Sequence, residues 1–212
     1  MPHQNASSVQ ERDGMPNSGN LFEMQRLEAL SNTIFGVAMT LLAYRVPTAQ
    51  FLNGAPVWST IWAAYHEQIV ALLISFVVAG MFWLSHQRRL TYQPLAPRPV
   101  VFLNLLFLLS VIALPITSGL LGMYGEIRDV VVLYSGHLAV ISGLNALLWL
   151  LAGGSRVWLA IIPTAIFTAA TFVELVVSQA YMVLVQFMWY GAFAVPVIEE
   201  VMAARKRDYD RA

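Results

Sequence analysis

Six stretches of this chain are each long and apolar enough to cross a lipid bilayer, and no other feature constrains its fold as strongly. A spanning helix needs about 20 mostly apolar residues. The stretches run at about Met24–Val46, Trp62–Ser85, Val100–Tyr124, Val130–Ala152, Val157–Val177 and Ala180–Met202. Inside hydrocarbon no water can satisfy backbone N–H and C=O groups, so each stretch has to close its own hydrogen bonds as a helix. The expectation is an all-α membrane protein with six transmembrane helices in a single repeat. Composition agrees: only 11% of the 212 residues are charged, against about 25% in soluble domains. The absence of cysteine excludes disulfides, thiolate metal sites and cysteine nucleophiles. A formal net charge of zero gives no electrostatic footprint for nucleic acid.

The polar, turn-rich opening, residues 1–20, has neither the basic start nor the short apolar core of a signal peptide. It is read as a disordered cytosolic tail, followed by a six-helix transmembrane domain over 21–203 and a basic cytosolic tail over 204–212. Arginine and lysine set the orientation. With the N-terminus in the cytoplasm, Arg12, Arg26, Arg88, Arg89, Arg98, Arg156, Arg205, Lys206, Arg207 and Arg211 fall inside, and only Arg45 and Arg128 fall outside. Cationic loops stay cytoplasmic, so both termini are expected in the cytosol. The two residues Ser178–Gln179 separate spans five and six and imply an antiparallel hairpin. Trp58 and Trp62, on the link after span one, fit an interfacial aromatic belt on a surface segment.

Span one is the unusual one. Its segment "RLEALSNTIFGVAMTLLAYRV" carries polar groups on its first turns and two threonines within its apolar run. At about 100° per residue, Thr33, Val37, Thr40, Leu41 and Tyr44 share one stripe, extended by Arg26, while Ser31, Asn32 and Phe35 point elsewhere. Polar groups in a membrane helix need partners, since burying one unpaired costs roughly 2–7 kcal/mol. Depth supplies candidates. Arg26, Ser31 and Asn32 lie in the inner third of span one, Trp83, Ser85 and His86 at the inner end of span two, and Asn104 one turn into span three. A shared inner polar cluster, acting as scaffold rather than chemistry, is expected. Snorkelling of Arg26 to the headgroups and simple interhelical pairing of Asn32 and Asn104 are the plainer alternatives.

At these residues a family comes into view. "RLEALSN" followed by "TIFGVAMTLL" resembles the RxxxFSD signature on the first helix of the transmembrane protein 175 family, the lysosomal potassium channels and their prokaryotic homologues. "ISFVVAGMFWLSHQRRL" and "LNLLFLLSVIALPITSGLLGMYG" look like its second and third helices, so the likeness covers about Arg26 to Gly125. The resemblance implies a prokaryotic homologue with one six-helix unit, assembled as a homotetramer, in which the first helix of each subunit lines a pore closed by bulky aliphatic side chains. Carried over position by position, the constriction falls on Val37 and a threonine contributing to potassium preference on Thr40, with Leu41 and Tyr44 lining beyond; Thr33 joins the pore-lining set through the helical stripe it shares with them. Arg26, Ser31 and Asn32 take the signature's arginine, serine and aspartate, and Trp83, His86 and Asn104 match members of the inner network. Leu30, Asn32, Val37 and Tyr44 depart from the family's phenylalanine, aspartate, larger aliphatic and aliphatic residues.

The function this implies is a potassium-preferring cation channel of a bacterial inner membrane. It would need no cofactor and no metal beyond the permeating potassium, and its partners would be its own copies and the bilayer. The alternative is a secondary transporter or proton-conducting protein using His137, His86 or Glu174. A membrane enzyme would need a catalytic constellation, and no HExxH, GxSxG or phosphate loop is present in the sequence. His137 and Asn145 on span four and Glu174 late in span five are read as packing or interfacial groups. Pro115, Pro163 and Pro196 are expected to kink their helices.

Overall fold

The computed structural model describes residues 21–44, 57–90, 95–152, 157–178, 189, 191–192 and 205. The N-terminal tail, Pro196, nearly all of the expected sixth span and most of the basic C-terminal tail lie outside the described residues, and with them the expectations for the 178–179 hairpin and for both termini.

Five helices follow the expected spans closely. They are α1 (Met24–Tyr44), α2 (Trp58–Leu90), α3 (Arg98–Tyr124), α4 (Arg128–Leu151) and α5 (Trp158–Val176). The first four are long and apolar enough to cross a membrane, and α5 is a shorter apolar helix. At 1.5 Å per residue α1 is about 31 Å long, close to the hydrocarbon thickness.

Helix α2 differs from its expected bounds at both ends, and for a physical reason. Hydropathy marks where a bilayer ends, not where a backbone stops being helical. Beyond Ser85 the residues His86–Leu90 continue α2, because Gln, Arg and Leu are good helix formers and two arginines suit the negative end of the helix dipole. At the other end Trp58 and Trp62 are not on a separate surface segment. They form the first turns of α2, where the Thr60 hydroxyl accepts from Val57 N–H at 3.1 Å and donates to Val57 O at 2.8 Å. The two indoles stack at 6.5 Å, and His66 stacks on Trp62 at 6.0 Å.

One element was not foreseen. Strands β1 (Leu21–Glu23) and β2 (Leu95–Pro97) pair antiparallel, with Leu21 opposite Pro97 and Glu23 opposite Leu95. The helical architecture stands, with this small ribbon added where α1 and α3 begin.

Helix α3 is central: it packs against α1, α2 and α4, and α5 lies on α4. Phe35, Phe82, Phe107, Leu108, Val111, Leu138 and Ile141 are all buried in the shared core. Lipid is as apolar as these side chains, so close contact and interhelical hydrogen bonds hold the helices together rather than escape from water. Both devices are visible. At Gly122 an added Cβ would sit 3.1 Å from Gln68 Cα, so a side chain there would push α2 and α3 apart by a few tenths of an ångström. Nearby, Ser75 bonds Ser118 at 2.7 Å and the Tyr134 hydroxyl at 2.8 Å, joining α2, α3 and α4 through three buried hydroxyls. Pro115 and Pro163 lie inside α3 and α5 without interrupting either helix. The α3–α4 turn closes in three residues, and Gly125 there leaves no room for a side chain, with Leu121 O only 2.7 Å from where its Cβ would be.

Candidate functional site

Helix α1 has two faces. Leu27, Ser31, Phe35, Ala38 and Leu42 recur at three- and four-residue spacing and are buried against the neighbouring helices. On the opposite face Thr33, Gly36, Val37, Thr40, Leu41 and Tyr44 are exposed, Val37 at 53% and Tyr44 at 84%. The helix therefore has one side packed in the bundle and one side left open. Within that open side the two threonines are already bonded. Thr33 Oγ1 donates to Ala29 O at 3.0 Å and Thr40 Oγ1 donates to Gly36 O at 2.8 Å. Each hydroxyl has spent its only hydrogen on its own helix and presents lone pairs outward, the polarity that attracts a cation. A Cβ at Gly36 would meet no atom within 4 Å.

The polar residues at the ribbon end of the bundle form two groups, not one. The first is on the exposed side. Trp83 Nε1 donates to Asn32 Oδ1 at 2.9 Å, and Gln87 meets Asn32 as well. With its amide turned to suit its neighbours, Gln87 donates to Glu28 Oε1 at 3.1 Å and accepts from Asn32 Nδ2 at 3.1 Å. Asn32 thus lies on the flank of α1 facing α2, not on the buried face with Ser31 and Phe35. The second group is enclosed. Arg89 Nη2 donates to His86 Nδ1 at 2.8 Å and to Asn104 Oδ1 at 2.6 Å, and all three side chains are buried. His86 lies between Phe35 and Phe107, with ring centroids 6.0 and 5.5 Å away. Ser31 joins neither group. It is fully buried and donates to Leu27 O one turn back, at 2.6 Å. Arg26 is exposed on the first turn of α1.

The comparisons with known proteins bear on this same part of the chain. Residues 26–115 match the family model for the endosomal/lysosomal potassium channel TMEM175. The match spans 90 of the 212 residues, from the first turn of α1 to Pro115 of α3. A protein of Streptomyces collinus, named a potassium channel, is 35% identical over 104 residues, which are 48% of this chain and 49% of that protein, so the match spans about half the length of the relative. The crystal structure of a lysosomal potassium-selective channel TMEM175 homolog from Chamaesiphon minutus aligns with a TM-score of 0.73 at 21% identity. It covers 82% of this chain and 96% of the other, and the likeness is one of fold.

Elsewhere in the chain, the residues singled out from sequence are tied into helix packing. His137 Nε2 bonds Ser110 O at 3.0 Å and Nδ1 bonds Thr117 Oγ1 at 2.9 Å, so the ring straddles the Pro115 segment of α3. Asn145 Nδ2 and Trp149 Nε1 both donate to Ser85 Oγ, at 2.9 and 3.0 Å, linking α4 to α2. Glu174 is buried rather than interfacial, and Ser135 donates to its carboxyl. Among the described residues no group of three His, Cys, Asp or Glu side chains is placed to hold a metal ion.

Sequence reasoning missed Arg89 and Gln87, both taken for loop residues. A signal was present. The buried stripe of α2 runs through Ser75, Val78, Ala79, Phe82 and His86. Extended by three residues it lands on Arg89, while Gln87 is one turn beyond Trp83.

Proposed function

We propose that this chain is one subunit of a potassium-preferring cation channel of a bacterial inner membrane. Four copies set their α1 helices around a common axis, and the open face of α1 lines the pore. No cofactor takes part beyond the permeating potassium, and no bond is made or broken. The observation that carries the reading is that face. Thr33, Val37, Thr40, Leu41 and Tyr44 stand exposed on α1, whose opposite side packs against α2 and α3. The Streptomyces collinus relative is named a potassium channel, and the Chamaesiphon minutus protein is described as a homolog of a potassium-selective one.

Rings of Val37 and Leu41 form an apolar neck, of the kind that gates by losing its water. An ion crossing it gives up part of its hydration shell. Potassium holds that shell less tightly than sodium and passes more easily. Thr40, its hydrogen committed to Gly36 O, supplies oxygen in place of the lost water, and Thr33 does the same about 10 Å along the axis. Tyr44 brings hydroxyls to the far mouth. Arg26, Ser31, Asn32, Trp83, His86 and Asn104 serve as scaffold, fixing the tilt and rotation of α1 against α2 and α3.

Potassium and sodium flux into liposomes holding the purified protein tests this. Faster potassium entry, in single-channel steps in planar bilayers, is expected; a carrier or proton path would give no such steps. Val37→Asn should wet the neck, raise flux and blunt the preference for potassium. Unchanged potassium flux in that variant refutes Val37 as the constriction, and no flux of either ion through folded tetramers refutes the channel.

A further inference from the structure

The Arg89 group has a surplus that helix packing does not explain. Arg89 is 1% exposed, and His86 and Asn104 are 0% exposed. An arginine is charged at any working pH. Among the described residues no carboxylate reaches it, and Glu28, the acid of the neighbouring group, pairs with Gln87.

The hydrogen-bond inventory of the cluster is one-sided. Arg89 Nη2 can only donate, so His86 Nδ1 must accept from it, and the ring proton therefore sits on Nε2. Asn104 Oδ1 is likewise used as an acceptor. The buried polar atoms left without a partner are Arg89 Nε, Arg89 Nη1, His86 Nε2 and Asn104 Nδ2. All four are donors. No acceptor in the cluster remains free to receive them. A full positive charge and four unmatched donors inside an enclosed site cost several kcal/mol unless something negative sits among them. The carbonyls of the last turn of α2 supply only a partial negative charge.

We propose that Arg89, His86 and Asn104 form a site for a small monovalent anion, with chloride as the natural occupant. Three features select that class. The fixed charge is a single positive one, so one negative charge neutralises it. Every free atom donates, which rejects cations. The three side chains are almost wholly closed off, which favours a monatomic ion over a lipid headgroup. The site lies where α2 ends and α3 begins, behind the face of α1 that bears Phe35, so an ion there would set the packing of α1 without entering the pore.

Two measurements on the full chain test this, and neither depends on channel activity. In the first, crystals are grown with bromide in place of chloride. An anomalous peak within contact distance of Arg89 and Asn104 is expected. No peak there, or a water or a carboxylate of this chain or a neighbouring copy in that place, overturns the proposal. In the second, the thermal unfolding midpoint is followed at constant ionic strength as chloride replaces gluconate. A saturable rise of about 5 °C is expected for a site filled well above its dissociation constant, and Arg89→Gln should abolish it. Equal midpoints in the two salts, or an unchanged rise in Arg89→Gln, refute the site. If that variant does not fold, the bromide experiment on the unaltered protein decides.

Discussion

Two residues of α1, only two apart in sequence but on opposite faces of the helix, give the sharpest test of the two-faced helix. Phe35 is 1% exposed and touches the rings of His86 and Phe107, each with its centroid within 6.0 Å. Val37 is 53% exposed and faces no neighbour on its open side. Cutting a buried phenylalanine to alanine costs about 3–5 kcal/mol in soluble cores. In a bilayer the part of that cost due to transfer from water shrinks, because lipid already solvates the ring in the unfolded state, while the lost contacts and the cavity remain. A loss near the lower bound, about 3 kcal/mol, is therefore expected for Phe35→Ala, a shift of roughly a hundredfold in the folding equilibrium. Val37→Ala removes two methyl carbons from an open face and should change subunit stability by less than about 0.5 kcal/mol. Its effect should appear in flux instead, as a wider neck passes ions faster and discriminates less. The assays are reversible unfolding in mixed micelles and ion flux in liposomes, run on both variants. The reasoning fails if Val37→Ala destabilises the subunit as much as Phe35→Ala does. It fails equally if Val37→Ala leaves flux untouched.

Further outcomes follow from the packing. Gly122→Leu places a branched chain where Gln68 Cα is already 3.1 Å from a Cβ, and should cost about 1–3 kcal/mol by forcing α2 and α3 apart; Gly36→Ala meets nothing within 4 Å in the subunit, so any change in its flux or assembly reports the surroundings of that open face. Tyr134→Phe removes one member of the Ser75–Ser118–Tyr134 hydroxyl set and should cost about 1 kcal/mol; combined with Ser75→Ala the losses should fall short of their sum, as a thermal unfolding double-mutant cycle would read out.

What the sequence made legible was set by what hydropathy measures. The span expected for α1 starts with its helix at Met24 and ends two positions beyond Tyr44, so its bounds came out almost unchanged. The same signal stopped at Ser85 in α2, because His86–Leu90 are polar although helical, and Arg89 was lost with them. The periodicity of α1 anticipated which of its residues face away from the bundle, since an exposed stripe and a buried stripe differ by half a turn. It misplaced Asn32, which lies between the two at the α2 flank, where 100° steps separate faces poorly. The β ribbon had no readable signal: three-residue strands are too short for alternation to register, and their partners stand more than seventy positions apart. Glu174 looked interfacial because polar residues follow it, whereas its burial depends on α4 packing alongside.

That ribbon has a mechanical consequence. It pins the start of α1 to the start of α3 by backbone bonds, directly before the first helical turn. The far end, at Tyr44, has no strand tie among the described residues. Tilting of α1 is thus a swing about one anchored end, and its arc grows along the helix. Over about 31 Å, a swing of about 5° moves the tip by roughly 3 Å and the base hardly at all, so the lever delivers most of its travel to Thr40, Leu41 and Tyr44.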